Sequence, residues 1–421
     1  PAGVQVFSLF RANPHLMDLV GEICAVAPRL AAHLGREPQA LDALLSADFF
    51  EPLPERAALA EELRAWVGRE TDYERVLDAV RRWAREQRFR AGVQVLQGLA
   101  DAGEAGTAHS AIAEACIEVL LPHVIEEFAS RHGPPPGKGM AVIAMGKLGS
   151  REMTGGSDLD LITVYDAAGE GESAGRRPLA VAQYYPRLTQ ALVAALTAPT
   201  AEGRLYEVDM RLRPSGRQGP VATSLASFRT YQMEKAWVWE HLALTRARVI
   251  AGPAEVGEAV TATMREALAA RAGQGDVMES AREMRGKLIE AHGADRHRPW
   301  ALKHAAGGLM EIEFLAQTGI LLHGLSDGRR PSEAFPALAE RGWLSAEEAE
   351  ALGAALTLMQ RLQQLERVAL EKRFDPEEAG RGLRDAMARA AGVDDFAALE
   401  ALLPERQSRA AEIAERVFAP G

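Results

Sequence analysis

The sequence predicts a mostly α-helical protein in which a small α/β core sheet is flanked by N-terminal and C-terminal helical regions. Two observations support this prediction. The helix-favouring residues Ala, Leu, Glu and Arg are abundant throughout, and short apolar runs of strand length occur only near the middle of the chain. With 421 residues, 47% of them hydrophobic and 25% charged, the chain is typical of a globular protein. We divide it into residues 1–132, 133–252 and 253–421.

The first region, residues 1–132, has helical spacing. Thr71 is followed three residues later by Glu74, the pattern of a capping box that begins a helix. The next apolar residues, Val76, Val80 and Trp83, are four and then three residues apart, so they share one helix face. A second helix is predicted over Ile112 to Phe128.

The core begins after a run of prolines and glycines, Arg131 to Met140, which cannot continue a helix. Two short apolar runs, Ala141 to Met145 and Leu159 to Tyr165, predict buried strands. A helix is expected over Val181 to Leu196. The alternation of apolar and charged residues from Arg204 to Pro214 predicts a third strand.

The remaining chain returns to helical patterns. Thr223 to Glu240 is predicted to be helical, and helices dominate from about Ala254 onward, with Ser345 beginning a second capping box. For Ala243 to Ile250 the periodicity is compatible with a continued helix or with a strand, and both remain open.

Composition argues against several classes of protein. The net charge of -11 disfavours nucleic acid as a partner. The two cysteines, Cys24 and Cys116, have no metal-binding spacing and fit a reducing cytoplasm. No apolar run reaches about 18 residues without charge, so no membrane span is predicted, and no signal-peptide pattern begins the chain. Because the sequence starts without Met, a fragment of a longer protein is expected.

Two other groups of residues are predicted to carry no chemistry. The histidines His292, His297 and His304 lack the spacing of metal ligands. Trp237 and Trp239 could form a stacking surface, but large aromatic side chains are more often core residues, so core packing is the prediction.

The chemistry is expected at Asp158 and Asp160, which lie one residue apart at the start of the second strand. Strand alternation places both carboxylates on one face, and Asp209 on the third strand could complete the set. Mg²⁺ prefers such oxygen ligands together with substrate phosphates, and three carboxylates can hold two ions. The alternative is that Asp158 caps a turn and Asp160 is a solvated edge residue.

The turn after the first strand, MGKLGS, could bind phosphate. Gly146 would let a phosphate approach the backbone, and Lys147 would add a positive charge. The alternative is a tight strand-to-helix turn with no ligand.

Arg211 and Arg213 share the predicted face of Asp209. Their guanidinium groups could hold phosphate oxygens and neutralise a leaving group. They could equally pair with Glu207 and Asp209, and both roles are compatible.

The motifs together resemble a known family. MGKLGSREMTGGSDLDLITVYD is similar to the nucleotidyltransferase superfamily that includes DNA polymerase beta. GKLGSREMTGGSDLDLI, LYEVDMRLRPSGRQGP, YQMEKAWVWEHLALTRARV and GGLMEIEFLAQ resemble the bacterial glutamine synthetase adenylyltransferases. Two positions depart from the family pattern: Lys147 replaces a usual Gly or Ser, and Glu311 stands where Asp is frequent.

The resemblance implies that AMP passes from ATP to a tyrosine of glutamine synthetase, which lowers that enzyme's activity in nitrogen regulation. It implies that Asp158 and Asp160 hold one Mg²⁺ and that Asp209 helps hold a second. Gly156 and Ser157 would lie close to the phosphates, whose charge Lys147, Arg211 and Arg213 would balance. Regulation by the PII signal protein and by glutamine is also implied.

Family members carry two tandem halves, one that attaches AMP and one that removes it by phosphorolysis, releasing ADP. The LYEVD, PSG and WVWEH stretches resemble the attaching half more closely. The removing half remains an alternative because it needs the same three acids. A non-catalytic module that senses PII or glutamine is a second alternative, and a nucleic-acid nucleotidyltransferase is a third.

Overall fold

The computed structural model describes residues 13–37, 39–325 and 330–420. Residues 1–12 and 421, which belong to the predicted terminal regions, lie outside it. The described chain is mostly helical, as predicted. Its α-helices are α1 Pro14–Val26, α2 Pro28–Arg36, α3 Gln39–Ala43, α4 Arg56–Val67, α5 Tyr73–Leu96, α6 Ala102–His132, α7 Gly146–Gly149, α8 Val181–Thr197, α9 Leu225–Glu234, α10 Val238–Leu244, α11 Ala254–Arg271, α12 Asp276–Ala291, α13 Leu309–Leu322, α14 Pro331–Glu340, α15 Ala346–Ala369, α16 Arg381–Ala391 and α17 Phe396–Val417.

A small mixed sheet forms the predicted core. Its strands are β1 Gly139–Ala144, β2 Leu159–Asp166, β3 Val208–Asp209, β4 Ala222–Ser224 and β5 Arg248–Ala251. β1 pairs antiparallel with β2 and β5, while β3 and β4 both pair parallel with β2. The first two predicted strands are therefore confirmed. The open segment Ala243 to Ile250 contains the end of α10 and the start of β5.

The prediction of a strand from Arg204 to Pro214 is mostly wrong. Only β3 within it pairs with the sheet, and a turn follows at once. The guanidinium group of Arg213 fixes this turn by donating hydrogen bonds to the carbonyls of Met210 (2.8 Å), Arg217 (3.2 Å) and Gly219 (3.2 Å). The alternation of charged and apolar residues therefore does not mark a long strand here, because Arg213 stabilises a turn.

Two further boundaries differ from the predictions. The predicted helix Thr223 to Glu240 consists of the end of β4, helix α9 and the first turn of α10. Helix α5 is capped by Asp72 and not by Thr71, because the Asp72 carboxylate accepts a hydrogen bond from the backbone N–H of Glu74 at 2.9 Å. The capping box at Ser345 is confirmed, with reciprocal bonds between Ser345 and Glu348.

Both faces of the sheet are covered by helices. Met140, Val142 and Leu161 belong to a hydrophobic cluster with helices α4, α5, α6 and α8. Ile143 and Ile162 face a second cluster, which contains α1, α2 and the helices that follow β5. The core sheet is therefore enclosed by the N-terminal and C-terminal helical regions, and the division into three domains stays a prediction.

Helix α6 is the one helix among the described residues that is long and apolar enough to cross a membrane by length and composition. However, 72% of its apolar window is buried inside the molecule. It packs against α4, α5 and α8, as a central core helix does.

The prediction that Trp237 and Trp239 pack in the core is wrong. Trp237 is 69% exposed and Trp239 is 37% exposed, and Met233 beside them is 38% exposed. The pair lies at the start of α10, where Trp237 is the residue before the helix.

Candidate active site

Asp158 immediately precedes β2, where the chain leaves the turn 154–157, and Asp160 is the second residue of the strand. Leu159 and Leu161 point into the core and are buried, while Asp158 is exposed and Asp160 is half-buried. The alternation predicted from the sequence therefore places the two carboxylates on one face of the strand.

Asp209 is the direct cross-strand neighbour of Asp160. β2 and β3 pair in parallel with Leu159 opposite Val208 and Asp160 opposite Asp209. Burial raises the pKa of the Asp160 carboxyl, and the negative charges of Asp209 and Asp158 raise it further. Such an excess of negative charge at one edge of a sheet favours the binding of cations.

Arg211 balances part of this charge. Its Nε donates to Asp209 Oδ2 at 2.6 Å, and its backbone N–H donates to Asp209 Oδ1 at 2.8 Å. Partial burial alone would raise the pKa of Asp209, but the hydrogen bonds and charge of Arg211 outweigh burial, so that pKa is lowered. The expected pairing of Arg211 with Asp209 is thus present.

With Asp209 engaged by Arg211, the three acids do not form a closed set of ligands. Within residues 13–37, 39–325 and 330–420, no three side chains of His, Cys, Asp or Glu are placed to hold one metal ion. The donor chemistry nevertheless suits Mg²⁺, because carboxylate oxygens are its usual protein ligands. Both carboxylate oxygens of Asp209 accept hydrogen bonds from Arg211, so a cation bound at the three acids would compete with these bonds.

Gly146 is the residue that allows Asp160 to lie against the backbone. It begins the short helix α7 with φ of +53°, a conformation that favours glycine. A Cβ atom at this position would overlap the carboxylate of Asp160. The turn MGKLGS therefore positions one of the acids, whatever else it binds.

Lys147 and Ser157 both make contacts within the protein. The Lys147 ammonium hydrogen-bonds to Gln363 Oε1 on helix α15, and burial lowers its pKa. Ser157 Oγ accepts a hydrogen bond from the Thr154 backbone N–H at 2.9 Å, which closes the turn before Asp158. Gly156 in this turn is exposed.

Two basic residues that the sequence analysis did not single out act on the site. The charges of Arg246 and Lys303 oppose the rise in the pKa of Asp160. Arg246 pairs with Glu313 at 3.0 Å, whereas Lys303 is exposed. Arg246 belongs to a stretch quoted for the family resemblance, but no local pattern marks Lys303.

Glu311, one of the two departures from the family pattern, is a buried anchor. Its carboxylate accepts hydrogen bonds from Arg285 Nε at 2.7 Å and from the Gly307 backbone N–H at 2.8 Å, and it lies 3.5 Å from Arg296. These contacts join α12, α13 and the loop that carries Lys303.

Comparison with family models gives two matches. Residues 17–287 match the model described as glutamate-ammonia ligase adenylyltransferase, a segment that contains all three acids. Residues 282–418 match the model described as GlnD PII-uridylyltransferase. The first match covers more than half of the chain.

Relatives with the same printed name extend the comparison. The bifunctional glutamine synthetase adenylyltransferase/adenylyl-removing enzyme of Mesorhizobium japonicum is 41% identical over 412 residues, which are 97% of this chain and 42% of the relative. That of Xanthobacter autotrophicus is 42% identical over 99% of this chain and 42% of its own length. That of Rhizobium meliloti is 43% identical over 95% of this chain and 41% of its own length. The chain thus spans less than half the length of these relatives, and it belongs to the glutamate-ammonia ligase adenylyltransferase family.

Proposed function

We propose that this chain transfers AMP from ATP to a tyrosine hydroxyl of glutamine synthetase and releases pyrophosphate. The observation that carries the proposal is the in-register pairing of Asp160 with Asp209, with the charge of Asp158 close enough to raise the pKa of Asp160. The name of the relatives, which includes both adenylyltransferase and adenylyl-removing activity, supports the same chemistry. Modification of glutamine synthetase in nitrogen regulation would place the protein in the cytoplasm.

Mg²⁺ would be held by Asp158, Asp160 and Asp209, in two ions if the family pattern applies. When bound, the metal would supply charge neutralisation for the triphosphate and orientation of the α-phosphate. The raised pKa of Asp160 supports this assignment, since burial and neighbouring carboxylates disfavour its ionised form until a cation compensates.

The protein's own groups would do the remaining work. The phenol oxygen of the substrate forms a bond to the α-phosphorus while the bond to the bridging oxygen of pyrophosphate breaks. A tyrosine with a pKa of about 10 must lose its proton in this step. Asp209 would accept that proton after Arg211 turns towards the phosphates, because loss of the Arg211 hydrogen bonds would raise the pKa of Asp209.

The proposal also assigns phosphate contacts to five residues near the acids, and the structure supports some of these contacts better than others. The residues are Gly146, Lys147, Gly156, Ser157 and Arg213. Gly156 is exposed beside Asp158 and leaves its backbone open to a phosphate. Arg213 and Lys147 are engaged with carbonyls and with Gln363, so their direct contact with ATP would need these bonds to break. PII and glutamine are proposed as regulators on the resemblance alone.

The test measures AMP incorporation from α-labelled ATP into unmodified glutamine synthetase with Mg²⁺. We expect the chain to label its target, and Asp158→Asn to reduce labelling to background with an unchanged circular dichroism spectrum. Asp166→Asn, at the far end of the same strand, is the matched control and should retain activity.

The same assay separates the alternatives. ADP release from pre-adenylylated glutamine synthetase with phosphate, without any AMP incorporation, would identify the removing half. Absence of both activities would favour a regulatory module, and wild-type turnover by Asp158→Asn would contradict the role of this carboxylate.

A further inference from the structure

A cavity lined by arginines lies next to the turn 154–157, which precedes Asp158. It opens where helices α2, α5 and α15 meet Gly155, and its volume is about 350 Å³. We name it the arginine pocket after the five guanidinium side chains that line it: Arg29, Arg36, Arg85, Arg88 and Arg367. Glu37 is the one carboxylate in its lining among the described residues.

Much of this positive charge is not neutralised by the protein. Arg85 pairs with Glu37 at 3.0 Å and with Glu202 at 2.8 Å. Across the described ranges, no ion pair with a carboxylate involves Arg29, Arg36 or Arg367. These three side chains are exposed, so their charges are available to an anion that enters the cavity from solvent.

Two of these arginines are held together at the turn. Arg29 Nη1 donates a hydrogen bond to the Arg367 carbonyl at 3.2 Å. A Cβ atom placed on Gly156 would lie 3.6 Å from Arg29 Nη1 and 3.9 Å from Arg367 Cδ. The pocket therefore joins helix α2, helix α15 and the turn that precedes Asp158.

A buried polar atom without a partner faces the same cavity. His109 lines it and is only 3% exposed, yet its Nε2 has no hydrogen-bond partner in the described part of the chain. A Cβ atom on Gly155 would lie 3.7 Å from this nitrogen. Arg88 Nε is likewise buried without a partner. A buried polar atom without a hydrogen-bond partner destabilises the protein, so a ligand that hydrogen-bonds to these atoms is favoured.

We propose that the arginine pocket binds a small molecule through a phosphate or carboxylate group. Guanidinium groups form paired hydrogen bonds with both kinds of anion, and the cavity lies within the size range of small-molecule sites, about 300–1,000 Å³. Burial, together with the charge of Arg88, lowers the pKa of His109 to about 4, so the imidazole is neutral near pH 7 and binds as a hydrogen-bonding group.

The proposed site is separate from the three acids. Asp158, Asp160 and Asp209 do not line the arginine pocket, although the turn from Thr154 to Ser157 lies between the two sites. An anion bound there would contact the turn that carries Asp158. The proposal does not require AMP transfer, and it is tested by binding alone.

The experiment titrates the full chain calorimetrically with inorganic phosphate and, in a second arm, with succinate at low ionic strength. We expect saturable binding of at least one anion, with the tighter probe identifying the ligand group. Arg29→Gln and Arg367→Gln should each weaken binding at least tenfold. Arg361→Gln removes the same charge from the same helix outside the pocket and should leave binding unchanged.

Three results would overturn the proposal. In the first, neither anion binds. In the second, Arg361→Gln weakens binding as much as Arg367→Gln, which would indicate a general effect of charge. In the third, saturating Mg²⁺ and ATP abolish anion binding, which would assign these arginines to the nucleotide. Thermal melting of each variant establishes that the fold is intact. Because two arginine variants are tested independently, the experiment remains decisive if one of them fails to fold.

Discussion

At the scale of single residues, the acidic edge of the sheet opposes folding. Asp160 is half-buried beside two other carboxylates, and burial followed by the charge of Asp209 raises its pKa. The folded chain therefore binds more protons than the unfolded chain between the ordinary carboxyl pKa and the raised one. The free energy of unfolding must fall as pH rises through that window.

We predict that Asp160→Asn stabilises the metal-free protein at pH 7 while it abolishes AMP transfer. The neutral amide removes a carboxylate that is partly desolvated and repelled by Asp209. Urea denaturation should give a higher midpoint for the variant at pH 7, and the difference should vanish as pH falls and wild-type Asp160 becomes protonated. A midpoint equal to or below that of wild type at pH 7 would show that the ionised Asp160 carboxylate does not destabilise the fold.

Gly146→Ala is predicted to damage both stability and activity. A left-handed conformation costs a residue with a Cβ about 1–2 kcal/mol, and this Cβ would also displace the Asp160 carboxylate. The free energy of unfolding and the rate of AMP transfer should both decrease. Gly353→Ala is the control: Gly353 lies in helix α15 with open space around it, so alanine there should stabilise by about 0.5–1 kcal/mol.

The position of Asp158 and Asp160 at the start of a strand could be predicted from the sequence because period-two alternation is a local property, while their metal-binding role stays a prediction. Asp158 and Asp160 needed only the apolar run that follows them. The orientations of Lys147 and Arg213 could not be read in this way. Lys147 contacts Gln363, which is distant in sequence, and Arg213 bonds carbonyls of a turn that alternation had suggested was extended. Such contacts depend on the completed fold.

At the scale of elements, a buried ion-pair network joins helix α6 to the sheet and to helix α4. Glu114 on α6 is 2% exposed, pairs with Arg56 at 3.2 Å, and also pairs with Arg248 on β5. Breaking a buried pair from one side leaves the partner's charge uncompensated.

Glu114→Gln is therefore predicted to destabilise the protein by about 3 kcal/mol. Chemical denaturation followed by circular dichroism measures the change. Glu118→Gln is the matched control on the same helix, since Glu118 also pairs with Arg56 but is 28% exposed; its loss should cost less than about 1 kcal/mol. Equal effects of the two substitutions would contradict the role assigned to burial.

The strand prediction for Arg204 to Pro214 shows where local pattern is insufficient at this scale. Alternation is compatible with any extended segment, whereas strand length is set by partners. The neighbouring edge of β2 is shared between β3, which pairs at Leu159 and Asp160, and β4, which pairs from Thr163 onward. Only Val208 and Asp209 of the segment pair with β2, and this pairing sets Asp209 opposite Asp160.

At the scale of the whole molecule, the core sheet depends on helices outside it. Its two faces are buried by separate clusters that contain helices both before β1 and after β5. An isolated fragment 133–252 would expose both faces to water. We predict that this fragment aggregates or lacks dispersed amide signals in NMR spectra, while the whole chain unfolds cooperatively. A folded monomeric fragment would contradict this view of the fold.

The enclosure of the site by elements distant in sequence also explains which site residues were missed. The charge of Lys303 lowers the pKa of Asp160, and Lys303 lies in a loop whose Gly307 N–H bonds to the buried carboxylate of Glu311. Neither the position of that loop nor the arginine pocket, which combines residues from α2, α5 and α15, follows from periodicity.

The proposed function depends on a site in which Asp158, Asp160 and Asp209 together hold divalent cations with ATP. Its most direct test is a titration with Mn²⁺, followed by electron paramagnetic resonance, in the presence of a non-hydrolysable ATP analogue. Wild type and Asp166→Asn should bind Mn²⁺ alike, and Asn at position 158, 160 or 209 should weaken binding at least tenfold, about 1.4 kcal/mol. Equal Mn²⁺ affinity in all five proteins would contradict the claim.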